Sequence, residues 1–121
     1  MPKKKIAKTD LKDAIVNGML EKKANKVTIL DLRKLKTSMA DYFIICHATS
    51  DKQVNAIADS VEEVVRKTVG EKPWHVEGRE LSEWILLDYF DVVVHVFKED
   101  KRDYYGIEEL WSDAEMTYIN D

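Results

Sequence analysis

The residues of this chain that could do chemistry are three histidines (His47, His75, His95), one cysteine (Cys46), and two aspartates near each other in sequence (Asp88, Asp91). Cys46 and His47 are adjacent, so on a strand they point to opposite faces. A zinc site needs three or four converging ligands. These histidines fall on separate predicted strands, so no metal is expected. Cys46 would become a nucleophile only if His75 or His95 approached it. It lies in the apolar run DYFIICHA, and apolar surroundings raise a thiol's pKa and make it inert. Asp88 and Asp91 flank a predicted hairpin turn. Paired carboxylates can hold magnesium for phosphoryl or nucleotidyl transfer, so the alternative function is that of a magnesium-dependent nucleotidyl- or phosphoryl-transferase relative. That chemistry also needs a phosphate cradle, and the 4 glycines (Gly18, Gly70, Gly78, Gly106) never cluster. Solvated carboxylates at a turn are the simpler reading, and they would suit ion pairs with an arginine-rich partner. No cofactor is expected.

Binding is the better-supported class. Trp74, Trp84, Trp111, Tyr89, Tyr104 and Tyr105 concentrate in the C-terminal half. The predicted strand Glu83–Tyr89 has large groups on both faces, with Trp84, Leu86 and Asp88 on one and Ile85, Leu87 and Tyr89 on the other. Only one face can pack on helices. The other, unless the chain covers it, is an apolar and aromatic patch of interface type. Lys3, Lys4, Lys5 and Lys8 form a basic arm, residues 1–8, that could touch RNA phosphate. An RNA-binding module led by this arm is a third reading. It is weakened because the rest of the chain does not interleave aromatic with basic residues, as single-strand binders do.

Charge has a direction along the chain. Residues 1–36 carry 11 Lys and Arg against 4 Asp and Glu, whereas residues 78–121 carry 4 against 12. The acidic half would attract a basic partner and repel bare nucleic acid. With 121 residues, 45% of them hydrophobic, the chain is expected to fold as a single domain over residues 9–111. An acidic tail, 112–121, is expected to be disordered. A single cysteine forms no internal disulfide, which points to a reducing compartment. No apolar run approaches the ~18 residues of a membrane span. The start MPKKKIAKTD lacks the apolar core of a secretory signal. A cytoplasmic location is the resulting expectation.

Several elements must position these residues. Thr9 is a plausible helix cap, and Leu11, Ala14, Ile15, Gly18 and Met19 recur at helical spacing, so a helix is predicted over Thr9–Lys23. Lys26–Leu32 and Asp41–Ala48 read as strands. Ser50 and Gln53 form a capping box ahead of the apolar stripe Val54, Ile57, Ala58, Val61, Val64, Val65. This predicts a long helix over Asp51–Val69, stopped at Gly70. Pro73–Glu77 reads as a short strand, and Glu83–Tyr89 with Asp91–Phe97 as a tight antiparallel hairpin. Lys98–Arg102 reads as a charged turn, with Asp103 capping a last short helix. The order α-β-β-α-β-β-β-α predicts a two-layer α/β domain, with a five-stranded mixed sheet and helices mainly on one face.

Four segments carry a family resemblance: ADYFIICHATSDKQVNAIAD (Ala40–Asp59), HVEG (His75–Gly78), WILLDYFDVVVHVF (Trp84–Phe97) and RDYYGIEELWSDA (Arg102–Ala114). In this order and spacing they resemble the ribosomal silencing factor family, also called Iojap-related or DUF143 proteins. His47-Ala48 stands where small serine- or glycine-type residues are expected, and Phe90 stands where the hairpin turn usually has glycine. The resemblance implies a nucleotidyltransferase-like fold without catalytic residues, and a protein that is not an enzyme. It implies binding to the large ribosomal subunit through ribosomal protein fourteen, which blocks joining of the small subunit and represses translation under nutrient limitation. It also implies a homodimer off the ribosome, with at most a minor ribosomal RNA contact from the lysine arm. Carried over position by position, the contact residues are Trp84, Leu86 and Asp88, with Asp91, Tyr104, Glu108 and Trp111 nearby. The acidic half and the aromatic anchor at Trp84 fit a basic ribosomal partner.

Overall fold

Ser50 opens the longest helix. Its hydroxyl oxygen accepts from the Gln53 amide at 3.1 Å, the first half of the expected capping box. The Gln53 side-chain nitrogen reaches across to the Lys22 carbonyl. In the computed structural model, which describes residues 8–35 and 40–120, this helix runs Asp51–Thr68 and is α2. Its stripe of Val54, Ile57, Ala58, Val61 and Val65 is buried. At its end the Gly70 N–H reaches back to the Val65 and Arg66 carbonyls. The first helix, α1, spans Lys8–Glu21. It starts one residue before Thr9, which is therefore inside the helix and not at its cap. Apart from Lys8, the basic arm expected over 1–8 lies outside the described residues. The two helices cross closely, and Ser60 Oγ donates to the Gly18 carbonyl at 2.7 Å in a buried position.

The strands are β1 (Asn25–Asp31), β2 (Tyr42–Ala48), β3 (His75–Glu77), β4 (Trp84–Asp88), β5 (Val92–Lys98) and β6 (Glu115–Tyr118). They form one sheet in the order β3-β4-β5-β2-β1-β6. Only β2 and β5 run parallel, and every other pairing is antiparallel. The sheet is mixed, as expected, but among the described residues it has six strands where five were expected. The sixth comes from the segment read as a disordered tail. Met116, paired with Leu30 across the strands, turns inward there and packs against the second cluster of buried apolar residues. Asn120 then clamps the chain end to β1, accepting from Val27 N–H at 2.7 Å and donating to the Ala24 carbonyl at 3.0 Å.

Alternation along the strands sorts side chains onto two faces. Ile44, Cys46, Ala48, Ile85, Leu87, Val92, Val94 and Val96 meet α1 and α2 in the main core. Phe43, Ile45, Trp84 and Phe97 face the other way, into a smaller second core. Two short helices and the segment after them cover that core. The first is α3 (Glu99–Tyr105) and the second α4 (Ile107–Leu110), separated by Gly106 at φ +58°. The charged turn expected at Lys98–Arg102 is thus the start of a helix, and Asp103 lies inside it instead of capping the next. The reason is local: Asp100 and Asp103 are exposed while Arg102 is buried. The inward stripe is therefore polar and has no apolar period to read.

Candidate functional site

α3, α4 and Trp111 cover only half of the sheet's second face. The other half is an open groove of about 540 Å³, lined by Phe43, Leu86, Val93, His95 and Trp111 along its length, and by Trp74, His75, Glu77, Asp88 and Phe90 toward one end. The strand register explains the grouping. His75 pairs with Asp88 and Glu77 with Leu86 across β3 and β4, while Leu86 pairs with His95 across β4 and β5. The Trp84, Leu86 and Asp88 face of β4 is therefore the one turned away from the main core.

Trp84 is half-buried at the covered end of this face. Its ring lies 4.7 Å from that of Tyr105 and 5.0 Å from that of Phe97. Its indole Nε1 donates to His95 Nδ1 at 3.0 Å. That bond fixes the proton of neutral His95 on Nε2. Burial pushes the His95 pKa down to about 3, so the ring is neutral at ordinary pH, and among the described residues its Nε2 has no hydrogen-bond partner. Phe43 packs edge-on against both His95 and Trp111, making a rigid aromatic floor.

The hairpin joining β4 to β5 closes at Tyr89, whose N–H bonds the Val92 carbonyl. Asp91 N–H bonds the Tyr89 carbonyl across one residue, and that residue, Phe90, sits at φ +72°. A bulky side chain pays for this conformation with backbone strain, and glycine would not. Asp88 Oδ1 accepts from Phe90 N–H at 2.8 Å and holds the turn. The Phe90 ring stacks on Trp74 at 4.4 Å and 12°.

A second concavity, of about 910 Å³, lies on the far side of α3 and is lined by Lys26, Thr28, His47, Glu99, Arg102, Glu108 and Asn120, among others. Its centre is Arg102. Nε and Nη2 grip the two oxygens of Glu108 at 2.7 and 3.1 Å. Nη1 bonds the Lys26 carbonyl and His47 Nδ1, and Nη2 also bonds Thr28 Oγ1. These five contacts use all five guanidinium donors, so Arg102 is a structural tie among β1, β2, α3 and α4 with nothing left for a ligand. Burial, with the Arg102 charge beside it, holds the His47 pKa below its usual value.

The expected site residues thus separate. Leu86, Asp88 and Trp111 line the groove together, and Trp84 braces it from beneath Tyr105. Asp91 is exposed at the hairpin turn, where its carbonyl accepts from the Asp41 and Tyr42 N–H groups. Tyr104 is exposed beyond Tyr105, and Glu108 belongs to the Arg102 tie. Sequence reasoning missed Trp74, Phe90, Phe43 and Val93 as groove residues. Trp74 and Phe90 carried a signal, as aromatics next to predicted breaks, but nothing in the sequence said they would meet. Cys46 is buried against the helices and its thiol is pushed up to about 12. It lies on the face opposite His47 and His95. Among the described residues, no three of His, Cys, Asp and Glu converge as for a metal.

A family described as "Ribosomal silencing factor during starvation" matches residues 5–121 of this chain. Ribosomal silencing factor RsfS of Halalkalibacterium halodurans is 43% identical over 105 residues, covering 87% of this chain and 88% of that protein. Its Bacillus subtilis counterpart is 43% identical over 100 residues, covering 83% of each. A crystal structure of a Chromobacterium violaceum protein superposes with a TM-score of 0.83 at 34% identity, covering 88% of both chains.

Proposed function

This chain belongs to the ribosomal silencing factor family, and from that premise we propose that it docks on the large ribosomal subunit through ribosomal protein fourteen. Docked there, it blocks joining of the small subunit by occupying its place and so represses translation when nutrients are scarce. The observation that carries the reading is the half-open second face of the sheet: an aromatic groove with carboxylates at its end. Such a surface suits a basic protein partner. Leu86, Asp88 and Trp111 are its direct contacts, and Trp84 holds the groove in shape. Asp91 lies at the hairpin rim, while Tyr104 and Glu108 stand at the margin of the docked area. The lysine-rich arm adds a minor contact to ribosomal RNA. Off the ribosome the chain pairs with a second copy of itself. The protein works in the cytoplasm and by occlusion, without catalysis.

The test mixes the protein at saturating concentration with purified small and large subunits and resolves them on a gradient. The expected result is fewer joined ribosomes, with the protein co-migrating with large subunits. An unchanged joining profile, with the protein demonstrably bound, overturns occlusion. Absence from the large-subunit fraction overturns the docking itself.

A further inference from the structure

Trp74 and Phe90 are 64% and 61% exposed although their rings are stacked on each other. Water-facing aromatic surface of this size, held in a fixed orientation, is of the kind that marks a binding site. The orientation is fixed through one residue. The Asp88 carbonyl accepts from Trp74 N–H at 2.9 Å, and its Oδ1 accepts from Phe90 N–H at 2.8 Å. The backbones that carry the two rings are therefore both fastened to Asp88. Asp88 and Glu77 line the same end of the groove, where among the described residues no lysine or arginine does. His75 Nε2 contacts Glu77 at 3.2 Å, while Asp88 spends only one of its two oxygens on the turn.

An aromatic face beside a carboxylate selects for one kind of side chain. A guanidinium is planar and weakly hydrated, stacks on aromatic rings, and pairs with carboxylates. An ammonium is compact and strongly hydrated and gains less from the stack. A nucleic-acid base would also stack, but its phosphates would meet the carboxylates of this acidic half. We propose that the Trp74–Phe90 stack, with Asp88 and Glu77, is a clamp for an arginine side chain on the surface of a basic protein partner. The inference rests on the docking reading above and deepens it, adding to the groove a specific pocket that depends on Phe90 at the turn.

The direct test follows the Trp74 indole N–H by NMR in the ¹⁵N-labelled full chain during titration with N-acetylarginine amide, N-acetyllysine amide and a uridine oligomer. Saturable movement is expected with arginine, with weaker binding of lysine and no response to the oligomer. Asp88→Asn keeps an acceptor for the turn and is expected to weaken the arginine response. Phe90→Gly suits the turn's backbone and should fold normally while losing the response. In parallel, pelleting with large subunits should show Trp74→Ala and Phe90→Gly binding about 3- to 10-fold more weakly than the parent. An indole that ignores arginine, or responds equally to lysine, overturns the clamp, and a response to the oligomer reassigns the stack to bases. If arginine moves the indole but the parent chain does not bind large subunits, the clamp stands and the docking reading falls. If the parent binds and both variants bind equally well, docking stands and the clamp falls.

Discussion

Trp84 and His95 face each other diagonally across β4 and β5, with the indole Nε1 donating to the imidazole Nδ1 at 3.0 Å. This bond joins the covered and open halves of the sheet's second face, because Trp84 lies beneath Tyr105 and His95 lines the groove. Trp84→Phe keeps most of the apolar bulk but leaves His95 Nδ1 buried without its donor. A loss of about 1–3 kcal/mol is expected, read by urea denaturation. A Trp84→Phe midpoint equal to the parent's would show that the bond contributes nothing.

The same histidine sets an acid limit on stability. Its ordinary pKa of 6.5 is lowered by burial to about 3 in the folded chain. Between these values the unfolded chain binds a proton that the folded chain refuses. Stability is therefore complete above pH 6.5 and falls as pH drops toward 3, by up to about 1.4 kcal/mol per pH unit for this one group. His47, also lowered, acts in the same direction. His95→Gln should lower stability at neutral pH yet flatten its fall between pH 6 and 4. A variant with the parent's full slope would assign the acid sensitivity elsewhere.

Leu86→Lys and Asp88→Asn probe the groove without disturbing the main core, because both side chains are only half-buried on the open face. Leu86→Lys should weaken binding to large subunits at least tenfold, the scale expected of a central contact. Asp88→Asn should weaken it less and reduce its salt dependence. Normal circular dichroism with unchanged affinity for both variants would move the interface off β4. Trp84→Ala is a poorer probe, since removing a ring packed on Phe97 and Tyr105 would damage the fold itself.

Asn120→Ala removes the two bonds that fasten the chain end to β1. A loss of about 1–2 kcal/mol is expected, together with faster amide exchange at Ile119, whose N–H bonds the Val27 carbonyl. Unchanged exchange there would mean that the β1–β6 pairing alone holds the end.

Cys46 should resist a thiol reagent in native buffer and react fully in denaturant, since its thiol is buried and its pKa is pushed up to about 12. Stoichiometric labelling of the folded chain at pH 8 would contradict the packing of β2.

α2 and the central strands were legible because their burial is written in side-chain type: Val54, Ile57, Ala58, Val61 and Val65 repeat at helical spacing, and Tyr42, Phe43, Ile44, Ile45 and Cys46 form an unbroken apolar run. Three features were not legible, each for a physical reason. α3 buries an arginine, so its inward face has the composition of a surface. β6 has four residues, and only Met116 of them turns into the second core. The open half of the groove depends on where α3 and α4 stop, which is set by tertiary contacts of Arg102 with Lys26, Thr28 and His47, far away in sequence. The sequence showed that β4 has two apolar faces. Which one stays open follows from the packing of α1 and α2 on the Ile85 and Leu87 face.

The position of β6 also has a consequence in time. β1 is synthesised well before β6, its partner on that side of the sheet. Until β6 has left the ribosome, β1 therefore presents an unpaired edge, open to strands of other chains.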